Sequence, residues 1–319
     1  MSLPKVYIDG HAGTTGLRIR EWLSRRDDIE IVTLPDETRK DDDARCDCML
    51  ASDIAVLCLP DDAAREAAAW VADSTTRLID ASTAHRVNDD WVYGLPELKS
   101  NQRALIKAAK LVSNPGCYSS SSVLLLRPLI DAGVINHNAP IMIHALSGYS
   151  GGGRGLIERW EDADGRLAGL PFAAPYALTI RHKHIPEIMK YAELEIEPQF
   201  EPSVGPFRCG MRVQIPLHAA MLGSQIDGSR IHDVLTERYD NETFVKLQPL
   251  VSNADFDELT FDPRVCNDTN RIDLFVVAHP SGHVLLMGIQ DNLGKGASGM
   301  AIQSLNLMLG VAEKTGLPT

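Results

Sequence analysis

The chain has 319 residues, of which 44% are hydrophobic and 23% charged, and its 31 basic and 43 acidic side chains leave a net charge of −12. That length suits about two domains with a full hydrophobic core, and the composition excludes a disordered chain, a collagen-like one or a small disulfide scaffold. No basic run exceeds a triad and no apolar run approaches the ~20 residues that span a bilayer, so neither nucleic acid nor membrane is expected as a partner.

The N-terminal segment Met1–Lys5 runs into a strand with no signal-like apolar region, which reads as a cytoplasmic protein. Lys5–Asp9 is the first predicted strand, and the turn Gly10–Gly16 separates it from a helix with Leu17, Trp22 and Leu23 as its apolar residues. Strands follow at Ile29–Leu34, Asp53–Leu59 and Arg77–Asp80, with a helix at Ala63–Ala72 that Asp61 or Asp62 can cap. A helix at Leu105–Ala109 leads to a fifth strand, Leu111–Asn114. Strands alternating with helices predict a parallel Rossmann-type sheet in an α/β domain.

Beyond residue 116 the pattern changes. A helix at Ser119–Ala132 and a strand at Ile141–Leu146 precede a glycine-rich loop, Ser147–Gly155. Later strands are longer and closer together: Met211–Leu217, Phe244–Leu247, Arg271–His279 and His283–Gln290, the last two joined by Pro280-Ser281-Gly282. They predict an α+β domain with a mostly antiparallel sheet. An amphipathic helix is predicted for Ala297–Leu309. The expected division is 1–116 for the dinucleotide domain, with 295–319 returning to it, and 117–294 for the second.

Gly10, Gly13 and Gly16 stand in a strand–turn–helix context, where glycine lets a backbone approach a pyrophosphate and the helix N-terminus offers free N–H groups. The whole turn, with His11, Ala12, Thr14 and Thr15, is therefore a candidate cofactor site. A basic residue after the second strand would hold the 2′-phosphate of NADP; Arg39 and Lys40 are the candidates, beside the acidic Asp36 and Glu37. A solvated loop is the competing reading there.

The six cysteines form no CxxC pair, so reduced thiols and no metal site are expected. Cys117 differs from the others: Asn114-Pro115-Gly116 turns the chain and Cys117 opens a helix, where the dipole favours a thiolate nucleophile. A nucleophilic thiol needs a proton partner, and Arg181-His182-Lys183-His184-Ile185-Pro186-Glu187 offers two histidines; His11, His85, His144 and His279 are rivals. The Ser147–Gly148 loop could present N–H donors to an anion, with Arg154 or Arg86 as a clamp.

With these residues in view, the chain resembles the N-acetyl-gamma-glutamyl-phosphate reductases of arginine biosynthesis, in their short form, within the aspartate-semialdehyde dehydrogenase-like superfamily. The resemblance runs nearly end to end, through Ala12-Gly-Thr-Thr-Gly16, Asp80-Ala-Ser82 with Arg86, Tyr93-Gly-Leu-Pro-Glu-Leu98, Ser113-Asn-Pro-Gly-Cys117-Tyr118, Ser147-Gly-Tyr-Ser-Gly-Gly-Gly-Arg154, His182-Lys-His-Ile-Pro-Glu187 and Asn292-Leu-Gly-Lys-Gly-Ala-Ser-Gly299. It implies an NADP-dependent reductase that takes a small acyl phosphate through a cysteine thioester. It also implies Cys117 as nucleophile, His184 as acid/base, and Arg86, Asn114, Ser147, Gly148, Arg154 and Glu187 around the substrate, in a homo-oligomer, dimer or tetramer. Competing functions are another thioacylating dehydrogenase, such as one for aspartyl phosphate or an acyl-CoA, and a non-catalytic dinucleotide sensor.

Overall fold

The computed structural model describes residues 2–223, 225–251, 257 and 259–319. The chain forms two compact units, Met1–Gly116 with Ala297–Pro318, and Cys117–Gly296.

The first unit runs β1 (Lys5–Asp9), α1 (Thr14–Leu23), β2 (Glu30–Val32), α2 (Asp42–Leu50), β3 (Ile54–Leu57), α3 (Asp61–Trp70), β4 (Arg77–Asp80), β5 (Val92–Tyr93), α4 (Gln102–Ala108) and β6 (Leu111–Ser113). Its sheet has the order β2-β1-β3-β4-β6-β5, and every pairing is parallel. The inner strand β3 is buried throughout, as a strand covered by helices on both faces must be. The order reverses between β1 and β3, the switch point where open parallel sheets bind ligands, and Gly10 is the residue that follows β1. Tyr7, Leu57, Leu78 and Trp91 pack with Met49, Ala67 and Val71 in the core of this unit.

Three local expectations need correcting here. The buried stripe of α1 is Gly16, Ile19 and Leu23, whereas Leu17 lies exposed. No side chain caps α3: Pro60 is its N-cap, and the Asp61 carboxylate instead accepts from the Thr83 N–H and hydroxyl. The closing helix, Gly299–Leu309, is buried on nearly every face rather than amphipathic. Its polar residues are bonded: Gln303 donates to Glu97 and Glu313, Asn306 donates to the carbonyls of Glu313 and Thr315, and Arg26 donates to Asn306. Arg77 donates to the Met308 carbonyl and so ties this helix to β4.

The second unit contains α5 (Cys117–Asp131), β7 (Met142–Gly148), α6 (Gly153–Glu161), β8 (Ala174–Pro175), α7 (Ile185–Ala192), β9 (Gln199–Gly205), β10 (Met211–Leu217), α8 (Gly228–Tyr239), β11 (Val245–Leu247), β12 (Ile272–Ala278) and β13 (Val284–Gln290). Its sheet has the order β11-β12-β13-β10-β7-β9-β8. Four of the six pairings are antiparallel; β11 with β12 and β7 with β9 are parallel. Along β10, Met211, Val213, Ile215 and Leu217 are buried while Arg212, Gln214 and Pro216 are half-exposed, the alternation of a sheet covered on one face.

Helix α5 supplies much of that cover. It is buried from Tyr118 to Leu126, including Ser119, Ser120, Ser121 and Ser122. The small side chains allow close approach to the sheet: a Cβ added to Gly288 of β13 would lie 2.3 Å from the Ser121 hydroxyl. Pro128 has no N–H for the Leu124 carbonyl four residues back, and the Tyr239 hydroxyl donates to that carbonyl instead, at 2.7 Å.

Candidate active site

In the first unit the Gly10–Gly16 turn is folded tightly on itself. Gly10 has φ +79°, and a Cβ there would stand 2.3 Å from the Cys58 carbonyl oxygen. A Cβ on Gly16 would meet the Gly10 carbonyl oxygen at 2.5 Å. His11 is buried, and the Thr15 carbonyl accepts from Ser298. At the N-terminus of α1, Gly13 makes no side-chain cap and the first turn holds no acidic residue, unlike α2 and α3. The first-turn N–H groups meet no carboxylate of their own, which fits an anionic diphosphate.

Arg39 lies in the turn after β2 and pairs with the exposed Asp36, Nε to Oδ1 3.2 Å; Lys40 is exposed. Arg45 escaped the sequence reading. It is buried, pairs with Asp9 at 3.1 Å and Asp42 at 2.6 Å, and lies over the Trp70 ring. It fixes α2 to the end of β1. No sequence pattern marked it, because α2 has an acidic surface and a thin apolar stripe.

The loop after β4 is tied down by hydrogen bonds and one ring stack. Asp80 accepts from the Ser82 N–H and hydroxyl and pairs with His85 Nδ1 at 2.7 Å, while His85 stacks on Trp91. Arg86 is buried, donating to the carbonyls of Asn114 and Ala81 at 3.0 and 3.1 Å. It therefore links the ends of β4 and β6. Asn114 is buried as well; its Nδ2 donates to the Ala297 carbonyl, and its Oδ1 has no hydrogen-bond partner among the described residues.

In the second unit Cys117 is the first residue of α5 and is half-buried, whereas Tyr118 to Ser122 are buried. Residues Tyr118 and Ser119 are held by the segment that carries His184. The Tyr118 ring meets the rings of His184 and His182 edge-on, with centroids 5.6 and 5.8 Å apart. His182 packs on His184 at 4.8 Å and on Phe200 at 4.9 Å. His184 is the N-cap of α7, its N–H donates to His182 Nδ1, and its carbonyl accepts from Ile188. Pro186, in the first turn of α7, fits a position with no N–H requirement. One turn on, the buried Glu187 accepts from the Ser119 hydroxyl at 2.8 Å.

The Tyr118 hydroxyl accepts from the Tyr176 hydroxyl at 3.2 Å. Burial pushes both phenols up, Tyr176 to about 12, and a negative charge on Cys117 adds to the effect on each. Both are neutral in the physiological range. Tyr176 and Phe200, which complete this cluster, carried no sequence signal.

The loop after β7 differs from the expected anion cradle. The N–H groups of Gly148, Tyr149 and Ser150 donate to the carbonyls of Gly210, Phe207 and Arg208 at 2.8, 3.0 and 3.0 Å. They are spent on the adjacent segment 207–210, and Gly148 is glycine because a Cβ would lie 2.5 Å from the Arg208 carbonyl oxygen. Arg154 is exposed on α6 and pairs with Glu158. Among the described residues no group of three or more His, Cys, Asp or Glu side chains could hold a metal ion, and no helix is long and apolar enough to cross a membrane.

Two family models match the chain: the semialdehyde dehydrogenase dimerisation domain over residues 117–292, and the semialdehyde dehydrogenase NAD binding domain over residues 35–106. The N-acetyl-gamma-glutamyl-phosphate reductase of Burkholderia cenocepacia is 46% identical over 314 residues, covering 98% of this chain and 99% of that protein. The chain belongs to the N-acetyl-gamma-glutamyl-phosphate reductase family. Another N-acetyl-gamma-glutamyl-phosphate reductase, from Brucella ovis, is 44% identical over 96% of this chain and 99% of its own. N-acetyl-gamma-glutamyl-phosphate reductase 2 of Pseudomonas putida is also 44% identical, with 99% and 100% coverage. The fold is shared with the aspartate semialdehyde dehydrogenase II of Vibrio cholerae, with a TM-score of 0.75 at 17% identity over 97% of this chain and 99% of that one.

Proposed function

We propose that this protein reduces N-acetyl-glutamyl 5-phosphate to N-acetyl-glutamate 5-semialdehyde and phosphate with NADPH, the reductive step of arginine biosynthesis that its relatives' name describes. The observation that carries this reading is local. Cys117 is half-buried at the first residue of α5, beside a Tyr118 ring packed on His184 and a Ser119 bonded to Glu187.

The Cys117 thiolate attacks the acyl carbonyl, and the C–O bond to phosphate breaks with departure of the phosphate dianion. The product on the enzyme is a Cys117 thioester. NADPH, when bound, supplies the hydride that brings this acyl group to the aldehyde level. The Gly10–Gly16 turn holds its diphosphate, and Arg39 and Lys40 lie on the segment suited to the 2′-phosphate. His184 takes the thiol proton before attack and returns a proton when the C–S bond breaks, freeing the aldehyde. The phenols of Tyr118 and Tyr176 remain neutral and hold the rings in place. Arg86, Asn114, Ser147, Gly148, Arg154 and Glu187 are the proposed surroundings of the substrate. Of these, Arg154 is exposed and reaches an anion by leaving Glu158, whereas Glu187 acts from its bond to Ser119. The protein works as a cytoplasmic homo-oligomer, dimer or tetramer, associating through the second unit.

The test is the reverse reaction, phosphate-dependent reduction of NADP. Cys117→Ser abolishes turnover and retains NADPH binding; turnover near the wild-type rate overturns the assignment. His184→Asn lowers kcat more than it raises KM, and unchanged kinetics move the base elsewhere. Aspartate semialdehyde as an equal or better substrate would replace the substrate assignment with that of the aspartyl enzyme.

A further inference from the structure

Gln290, the last residue of β13, is fully buried beneath the first turn of α5. Its Nε2 donates to the Cys117 carbonyl at 2.8 Å and lies 3.1 Å from the Ser120 hydroxyl, which itself donates to the same carbonyl at 3.0 Å. A carbonyl only accepts, so the amide must present its nitrogen to the helix. That orientation leaves Oε1 buried with no hydrogen-bond partner among the described residues. An amide oxygen in that state destabilises the fold, and an apolar side chain of similar volume would avoid the penalty. The position thus carries a polar residue against the interest of stability, and its shortest bond goes to the peptide of the reacting residue.

Gly296 lies against the same contact. A Cβ added there would be 2.8 Å from Cys117 Cβ, 3.0 Å from the Asp291 carbonyl oxygen and 3.4 Å from Gln290 Nε2. It lies in a five-residue π-helical stretch, Gly294–Ser298, of the kind found at functional sites. Cys117 therefore has an amide donor at its carbonyl and, against its Cβ, a glycine with no room to become anything larger.

We propose that Gln290 is a positioning residue for Cys117, fixing the carbonyl of the nucleophile and with it the direction of the Cα–Cβ bond that aims the sulfur. This rests on Cys117 being the nucleophile.

Gln290→Leu and Gln290→Met test it. The expected result is an unfolding midpoint equal to or above wild type, kcat lower by on the order of 10-fold or more, and KM and NADPH affinity within about twofold, the pattern of a misplaced reacting atom. Alkylation of Cys117 by iodoacetamide slows in parallel, and this readout needs no substrate. Gln290→Glu adds a signature that packing alone would not give. A neutral carboxyl can donate to the Cys117 carbonyl and a carboxylate cannot, so its kcat relative to wild type recovers as pH falls. Wild-type kcat and alkylation rate in Gln290→Leu overturn the proposal. So does loss of stability and activity in step in both apolar variants, or their failure to fold. Failure of the parent reading looks different: Cys117→Ser turns over normally, whatever Gln290 does.

Discussion

At the scale of single residues, the glycine turn separates two roles that a motif merges. Gly10 and Gly16 are small because the chain packs against itself there, with hypothetical Cβ distances of 2.3 and 2.5 Å to carbonyl oxygens. Gly13 is looser, with its nearest neighbour at 3.3 Å and φ −79°, a conformation any residue adopts. Gly16→Ala should therefore cost about 1–3 kcal/mol of stability, as overpacking does. Gly13→Ala, whose Cβ would meet its nearest atom only at 3.3 Å, should lower the unfolding midpoint less than Gly16→Ala and should act chiefly on NADPH affinity. Thermal melts and a fluorescence titration of each variant decide it; equal loss of stability in both would contradict the division. The spacing of the three glycines was legible in the sequence, but their separate causes were not, because the atoms they avoid belong to Cys58, His11 and the turn itself. Arg86 teaches the same lesson. Its place after β4 was readable, while its bonds to two main-chain carbonyls depend on β6 lying beside β4.

At the scale of elements, α5 is the structural centre of the second unit, and its weak points are polar. Tyr239 of α8 supplies the hydrogen bond that Pro128 cannot make, so Tyr239→Phe leaves the Leu124 carbonyl without that donor. The expected loss is about 1–3 kcal/mol in urea denaturation, with the m-value unchanged. Ser119→Ala should cost a similar amount by removing a donor from the buried Glu187, and it should also lower kcat because His184 is the N-cap of α7, three residues before Glu187. A stability loss with intact kcat would show that α7 does not need this bond to hold the histidine. Elements with a clean pattern were legible: β10, β12 and β13 lie within a residue of their expected bounds, β10 because one covered face imposes alternation, β12 and β13 because each reads as an apolar run buried over most of its length. Elements whose pattern is overwritten were not. The α2 sequence begins with acidic residues and buries only Arg45 and Met49. Strand β9 contains Pro202, which argues against an interior strand, yet it pairs with β7 on one side and β8 on the other. The closing helix looked amphipathic because Gln303, Ser304 and Asn306 are polar; buried hydrogen bonds make those residues core-compatible.

At the scale of the whole molecule, buried acids that hold their protons set how stability depends on alkaline pH. Burial pushes the Cys266 thiol from its ordinary value of 9.0 to about 12; the charge of Asp273 adds to this and Arg271 opposes it. Tyr176 rises from 10.0 to about 12 for the same leading reason. In each case the folded protein holds a proton that the unfolded chain releases. The stability tied to Cys266 is therefore fully present below about pH 9 and is lost as pH rises towards 12; for Tyr176 the loss begins near 10. One unit of pKa difference corresponds to about 1.4 kcal/mol, so even part of the Cys266 shift is measurable. Denaturant midpoints should stay level from neutral pH to about 9 and then fall, through the loss of protons from the unfolded state. Cys266→Ala should reduce that alkaline slope, while Cys117→Ser, at a half-buried position outside the core, should leave the Cys266 contribution in place. A slope identical in wild type and Cys266→Ala would assign the alkaline loss to other groups.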